Sequence, residues 1–497
     1  MRRTRTRARW IGPALAGAVV LSAVAGAPAA HANVPIKVVS LDPYTTTTSY
    51  HKTEVEPDTF AHGTTVVTAF QVGRFQNGGA SNVGWAASTD GGVHWGKGFL
   101  PGITTVATPP GPYDRDTDPS VGYDAKHNVW MIVTLAMTGT TGSAVVVSES
   151  SDARHWGLPI NVAVADPTNF ESFDKNWVAC DNDATTPSPF YGNCYVEYDD
   201  NGNLDQPHVA VSSDGGQTWT ESAVPPGVAS GGQPLVQPVT GTVIMPIGPG
   251  LTVGGTITSY TSHDGGLTFA GPFTVSPIDQ ATVQGSLRAP ELPSAEIDGL
   301  GRVFVVWYDC RFRVNCTSND IVLSTSLDGQ TWTPPVAIPI DSSSSTVDHF
   351  LPGIAVDPST SGNTAHLGVV YYFYPDAACT SSTCQLSVGF ISSTDGGVSW
   401  SVATQLAGPF TNTWFPLTTQ GYMVGDYNSA SFISGKAYTV FAAALPSPCQ
   451  LGSNNCKETM IRPLQGLAPG ASIHAARHEV LYQGQAATSG GTLLAHR

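Results

Sequence analysis

An all-β fold, built as a single ring of repeated four-stranded units, is predicted by three observations. The first is composition: 53 Gly and 37 Pro in 497 residues, with only 12% charged, suit short strands and many turns rather than helices. The second is a recurring Ser-x-Asp turn, seen as STDGGVHW (88–95), SSDARHW (150–156), SSDGGQTW (212–219), SHDGGLTF (262–269), SLDGQTW (326–332) and STDGGVSW (393–400). Its acids are Asp90, Asp152, Asp214, Asp264, Asp328 and Asp395, at steps of 62, 62, 50, 64 and 67 residues. The third is what precedes each turn: a short strand, a Gly or Asn turn, a β-branched strand, a loop and an alternating strand, as in PELPSAEIDGLGRVFVVWYD followed by DIVLSTS. Four strands per repeat of roughly 40 to 65 residues describe a β-propeller blade.

The chain begins with a segment that does not belong to the ring. Arg2, Arg3, Arg5, Arg7 and Arg9 form a basic start, residues 11–24 are mostly apolar, and Ala30-His31-Ala32 offers a small-x-small cleavage site before Asn33. Residues 1–32 therefore read as a secretory signal peptide, and residues 33–497 as the propeller. The apolar run is too short to cross a membrane, and no later stretch approaches about 18 apolar residues. A secreted, soluble, monomeric protein is expected. Losing five arginines takes the formal charge from −16 to −21, which disfavours nucleic acid and anionic membrane as partners.

The inner-strand pairs follow in chain order. They are DTFAHGTTVVTAF, DPSVGYDAKHNVWMIVTLA, NWVACD with GNCYVEYD, PLVQPVTGTVIMPI, LPSAEIDGLGRVFVVWYD, PGIAVDPSTSGNTAHLGVVYYFY and DYNSASFISGKAYTVFAA. This predicts seven four-stranded blades, with six as the alternative. Either PIKVVS (35–40) or HEVLYQ (478–483) would close the last one. The eight cysteines fall as near neighbours, Cys180/Cys194, Cys310/Cys316, Cys379/Cys384 and Cys449/Cys456. In an oxidising compartment they predict four local disulfides, since no CxxC or Cys/His spacing suggests a metal site.

In the recurring turn, the short carboxylate can accept hydrogen bonds from its own loop, Gly supplies a positive φ, and Trp folds back on the sheet. This pattern is the Asp box. The chain resembles the bacterial neuraminidase (sialidase) repeat superfamily over essentially its whole length beyond the signal segment. The resemblance implies a sialidase-like propeller whose boxes lie on the face opposite the active site. The box residues are therefore expected to be structural.

The chemistry is expected where second-to-third-strand loops and inter-blade connections meet the central channel. The groups there include Arg74, Arg115, Asp116, Asp118, Asp174, Lys175, Glu197, Arg288 and Glu291, and further along Tyr308, Asp309, Arg311, His349, Tyr372, Asp426 and Tyr427. A sialidase needs converging arginines, a Tyr nucleophile with a Glu partner, and an Asp acid/base. The family's opening Arg-Ile-Pro should fall before Asp58, where the chain reads Glu54-Val55-Glu56-Pro57. Arg74 matches a frequent family Arg, yet the loop Gln76-Asn77-Gly78-Gly79-Ala80-Ser81-Asn82 lacks the expected acid. Glu291 and Tyr427 fall where the Glu and Tyr would be, and Tyr308 replaces a second Arg, with Arg311 nearby.

The expected catalytic residues are thus Asp116, Asp118, Glu291 and Tyr427. Arg74, Arg115, Arg288, Arg311, Tyr308 and Asp174 are expected to bind substrate. DRDTDPS places Asp114, Asp116 and Asp118 in alternation, suited to two-carboxylate glycoside hydrolysis or, equally, to a structural Ca²⁺. No other cofactor is expected. An extracellular glycan is the expected partner, hydrolysed in an exo-sialidase-like reaction, with a non-catalytic carbohydrate- or protein-binding propeller as the alternative. His349 reads as a hydrogen-bonded loop residue or a lone base. One of Tyr371 and Tyr372 reads as core, leaving the other, with Trp177 or Trp307, to stack on a sugar.

Overall fold

The computed structural model describes residues 34–250, 254–452 and 455–470, together with the backbone of 31–32 and 478–479. The signal segment lies almost wholly outside the described residues. The chain is an all-β propeller of antiparallel meanders. Four sheets have four strands each. They run from Phe173–Cys180 to Thr220–Glu221, from Leu235–Val236 to Ala270–Pro277, from Ser294–Ile297 to Val336–Ala337, and from Ser429–Ile433 to Glu458–Pro463 with Ile36–Val38 added.

The expected division into seven, or six, separate four-stranded blades is corrected by the remaining ladders. Two meanders, from Glu54–His62 to Gly96–Phe99 and from Arg115–Asp124 to Ile160–Val164, merge into one eight-stranded sheet through the pair Ala80↔Asp116. Another, from Asp348–Val356 to Thr404–Thr411, is widened to six strands by His31–Ala32 and His478–Glu479. Of the two proposed closing segments, Ile36–Val38 joins Glu458–Pro463 with Val38 opposite Ile461. His478–Glu479 pairs instead with His31–Ala32, and the rest of HEVLYQ lies outside the described residues.

The first strand of each meander contacts the first strand of the next in a closed cycle. It runs through Glu54–His62, Arg115–Asp124, Phe173–Cys180, Leu235–Val236, Ser294–Ile297, Asp348–Val356, Ser429–Ile433 and back to Glu54–His62. Sheets sandwiched in such a ring are buried on both faces, which explains why strands such as VFVVWYD (303–309) are buried throughout and carry apolar residues at successive positions rather than alternating.

Register fixes the two faces of the ring. Glu54 pairs Val72 and Arg74 pairs Ala80 at one end, while His62 pairs Thr65 and Val66 pairs Ser88 at the other. First strands therefore begin on the face opposite the Ser-x-Asp turns. In those turns each Ser Oγ donates to its Asp at 2.8–3.1 Å. The Trp95, Trp219, Trp332 and Trp400 indoles donate to the Gly carbonyl three residues back. All six carboxyls are held below the usual carboxylate range with backbone and side-chain donors around them. These hydrogen bonds occupy each carboxylate inside its own turn, a structural role.

All four expected disulfides are formed, closing intervals of 14, 6, 5 and 7 residues. Cys310–Cys316, Cys379–Cys384 and Cys449–Cys456 staple loops on the face where first strands begin. Cys180–Cys194 staples the opposite face, because Cys180 ends its strand.

Neighbouring meanders are latched at equivalent positions near the axis. Asp58 accepts from Val121 N–H at 2.7 Å, Ser294 from Ile354 N–H at 3.1 Å, and Ser429 from Thr59 N–H at 3.1 Å. Asn176 and Asn428 donate across two further seams to the carbonyls of Asp118 and Leu351 at 2.9 and 3.2 Å. Each latch satisfies a backbone group that the ring buries. Ser429→Ala and Ser294→Ala should each lower unfolding free energy by about 1–3 kcal/mol. Urea denaturation checks this, and a combined loss below about 0.5 kcal/mol would show that water replaces the latch.

Candidate functional site

The first strands carry a repeated irregularity where they enter the ring. Register shifts fall between Val55 and Asp58, Thr117 and Ser120, Asp174 and Asn176, and Phe350 and Gly353. Inside them, Glu56, Asp118, Lys175 and Leu351 adopt φ of +55°, +48°, +37° and +48°. A left-handed conformation disfavours any side chain, by roughly 1–2 kcal/mol per residue. Bulges of this kind re-aim side chains and cluster beside functional sites.

Three of those four bulged residues, together with the Asp426 segment, form one buried ionic cluster. Lys175 Nζ lies 2.8 Å from Asp426 and 4.0 Å from Asp118. Arg288 pairs with the same Asp426 carboxylate. Arg74 donates to Gln71 at 2.8 Å, the Gln71 amide donates to Glu56, and a Glu56 oxygen accepts from Asp426 N–H at 3.3 Å. Tyr427 packs edge-on against Trp177 at 5.4 Å and lies under Lys175 at 5.6 Å, its hydroxyl donating to the Pro119 carbonyl at 3.0 Å.

The electrostatics separate the acids. Burial, reinforced by Asp118, pushes Glu56 up. Burial opposes ionisation of Asp118 and Asp426 too, but Lys175 holds the first below its ordinary value, and Arg288 with Lys175 holds the second. Burial would lower Lys175 and Arg288, yet the surrounding carboxylates raise both. The result is one protonated carboxyl beside ionised ones in a low-dielectric site. That is the usual way a fold assigns acid and base roles to similar groups. Beside the cluster, Asp118, Lys175, Trp177, Glu197, Leu292 and Tyr427 line a cavity of about 20 Å³.

The expected residues divide. The fold brings together Asp118, Arg74, Arg288 and Tyr427. Asp174 is tied to the cluster's edge, accepting from Lys175 N–H and Asn201, both at 3.0 Å. Asp116 is fully buried and pushed up to about 8 by burial. The alternation expected in DRDTDPS is broken by the bulge at Thr117–Ser120, so Asp114, Asp116 and Asp118 end in three environments. Glu291 accepts from Gly254 N–H at 3.2 Å. Tyr308 donates to the Ala289 carbonyl at 2.6 Å, and Arg311 is clamped on Asp309 at 2.9 and 2.6 Å. Arg115 points to a different crevice. Glu56 and the pairing role of Asp426 were not predicted, although the repeated Glu-Pro, Asp-Pro and Leu-Pro at residues 56–57, 118–119 and 351–352 mark the bulges.

Tyr371 and Tyr372 are both core, at 2% and 1% exposure, so neither is placed to stack on a sugar. The three acids of DRDTDPS do not converge as Ca²⁺ ligands. Among the described residues, Asp320, Asp341 and His349 do bring three candidate atoms within 4.8 Å. Arg313 already bonds Asp320 at 2.5 Å and Asp341 at 2.7 Å, and its charge opposes a cation there. Ser49, His51 and Asp42 also resemble a nucleophile, base and orienting acid, with both hydrogen bonds at 2.9 Å. His51 Nε2, however, lies 2.8 Å from the Thr46 carbonyl. A carbonyl oxygen so close requires the hydrogen on Nε2, which leaves no lone pair for the Ser49 proton.

No family model and no curated protein matches the chain. Similar solved structures include Hadza microbial sialidase Hz136, at 15% identity over 84% of this chain and 66% of that one, with a TM-score of 0.42. Trypanosoma rangeli sialidase in complex with sialic acid is similar at 12% identity over 86% of this chain and 58% of that one, TM-score 0.42. The GH93 alpha-L-arabinofuranosidase of Fusarium graminearum with arabinobiose is similar at 16% identity over 56% of this chain and 80% of that one, TM-score 0.35. The chain thus spans 66% and 58% of the two sialidases.

Burial lifts Asp58 to about 7 and Asp116 to about 8, against a usual value near 4 in an unfolded chain. Between those values the folded state holds protons that the unfolded state has lost, so stability falls as pH rises. The thermal midpoint should therefore drop from pH 5 to pH 8.5, and Asp116→Asn should flatten the slope. A midpoint that rises over this range contradicts the buried-acid reading.

Proposed function

We propose that this propeller is a glycoside-hydrolase-like enzyme that acts on an extracellular glycan at the channel cluster. The observation that carries the reading is the pair Glu56 and Asp118, two neighbouring carboxyls on strained bulges whose ionisation is driven in opposite directions. Glu56, held protonated, would give its proton to the glycosidic oxygen. Asp118, held ionised by Lys175, would attack the anomeric carbon or take a proton from the attacking water. Arg74, acting through Gln71, and Asp426, acting through Lys175 and Arg288, position these groups.

The substrate class shifts from the sialosides that the sequence resemblance suggested. Arg288 and Lys175 share the carboxylates of Asp426 and Asp118, and Arg74, held by Gln71, is 3% exposed, so a substrate carboxylate finds no accessible unpaired cation in the cluster. A neutral glycan fits this charge balance better. The rival reading, a propeller that binds glycan without cleaving it, is favoured by the roughly 20 Å³ beside the cluster, room for about one water.

Purified protein incubated with neutral aryl glycosides, a fluorogenic sialoside and a polysaccharide panel should release sugar from a neutral substrate. Asp118→Asn and Glu56→Gln should each lower kcat by about 10²–10⁴. Release by the wild type with unchanged rates in both variants would move the chemistry elsewhere. No release from any substrate, with glycan still bound, would establish the binding reading.

A further inference from the structure

The loop Gln76–Asn82, which carries no acid, has another use. Its turn cradles Arg115. The Arg115 guanidinium donates through one nitrogen to Asn77 Oδ1 at 2.8 Å and to the Gly78 carbonyl at 2.6 Å, and lies over the Phe75 ring at 4.2 Å. Gly79, at φ +69°, makes room for it: a Cβ there would meet Met137 Sδ at 2.8 Å and Arg115 Cβ at 3.0 Å. Arg288, Arg311 and Arg313 are each spent on a carboxylate. Arg115 is fixed by neutral acceptors and an aromatic face. Of its five N–H donors, three have no hydrogen-bond acceptor among the described residues.

Arg115 lines a crevice of about 280 Å³ with Asp114, Phe75 and the hydroxyl residues Thr46, Thr48, Ser81 and Thr105. That volume is near the lower end of small-molecule sites, about 300 Å³. The crevice opens on the face where first strands begin, the face of the ionic cluster, but shares no residue with it. Its lining offers donors from Arg115, acceptors from Asp114, whose other oxygen is held by Gly139 N–H at 2.9 Å, and hydroxyls that do both. Adjacent hydroxyls of a sugar ring match such a mixed set. Asp114 disfavours an anion, as does the chain's formal charge of −16.

We propose that this crevice is a separate binding subsite for a neutral pyranose residue of a glycan, gripped through vicinal hydroxyls by Arg115 and Asp114. It takes its ligand class from the glycan reading above and is independent of whether that glycan is cleaved. Titration calorimetry of the full-length protein with cellohexaose, xylohexaose, mannohexaose and maltohexaose, and with hexagalacturonate and sialyllactose as acidic counterparts, tests it. At least one neutral oligosaccharide should bind. Arg115→Ala, and Thr105→Trp, which fills the crevice while keeping Arg115 in the chain, should each weaken that binding about tenfold or more at an unchanged thermal midpoint. Binding of acidic probes only, binding of none, or wild-type affinity in both variants would overturn the subsite. Loss of binding in the variants of a protein that releases no sugar would uphold the subsite and remove the hydrolase reading. Sugar release by a protein whose variants bind as the wild type does would do the reverse.

Discussion

Burying charge at the axis is the constraint on which the rest of the site depends. Lys175, Asp118, Asp426, Arg288, Glu56 and Arg74 share a space that water scarcely enters. Ions in such a space are stable only when each is matched by an opposite charge at short range. Asp426 answers two cations at once and is 2% exposed, so its ionised form is as much a structural requirement of Lys175 and Arg288 as a chemical one. Glu56 makes no ion pair, accepting instead from Gln71 and from Asp426 N–H, and burial reinforced by Asp118 keeps it protonated.

Such a cluster needs side chains that point inward from strands whose ordinary alternation would place them against a neighbouring sheet. The bulges supply this by inserting an extra residue and a positive φ at Glu56, Asp118 and Lys175. The strain is held in place by the latches beside it, where Asp58, Ser429, Asn176 and Asn428 fasten first strands across four of the seams. Stability and chemistry therefore meet within a few residues of each strand's start. The Ser-x-Asp turns do the complementary task at the far face, where hydrogen bonds within each turn end six of the third strands.

Several motifs that look chemical are absorbed by structure, and each for a definable reason. Ser49, His51 and Asp42 have the distances of a catalytic set, but a backbone carbonyl fixes the imidazole hydrogen on the wrong nitrogen. Asp320, Asp341 and His349 have the spacing of metal ligands, but Arg313 already neutralises them. Arg311 lies near the expected mouth but is held bidentate by Asp309. Conversely, the acid-free loop at 76–82 is informative for its glycines, since Gly79 alone leaves space for Arg115.

The sequence by itself determined whatever depends on neighbours within a few residues. The strands, the Ser-x-Asp turns and the four disulfides were legible because a turn, a β-branched run and a five- to fourteen-residue cysteine interval carry their physics locally. Which sheets merge was not legible, because it rests on one pair, Ala80 with Asp116, between meanders. The site was half legible: Asp118, Arg74, Arg288 and Tyr427 could be named as candidates, but their partners could not. Lys175 and Asp426 are 251 residues apart, and only closure of the ring sets them 2.8 Å from each other. Proton affinity follows from that meeting, since it is fixed by burial and nearby charge rather than by residue type. Tertiary structure alone therefore decided which carboxyl is held protonated and which ionised.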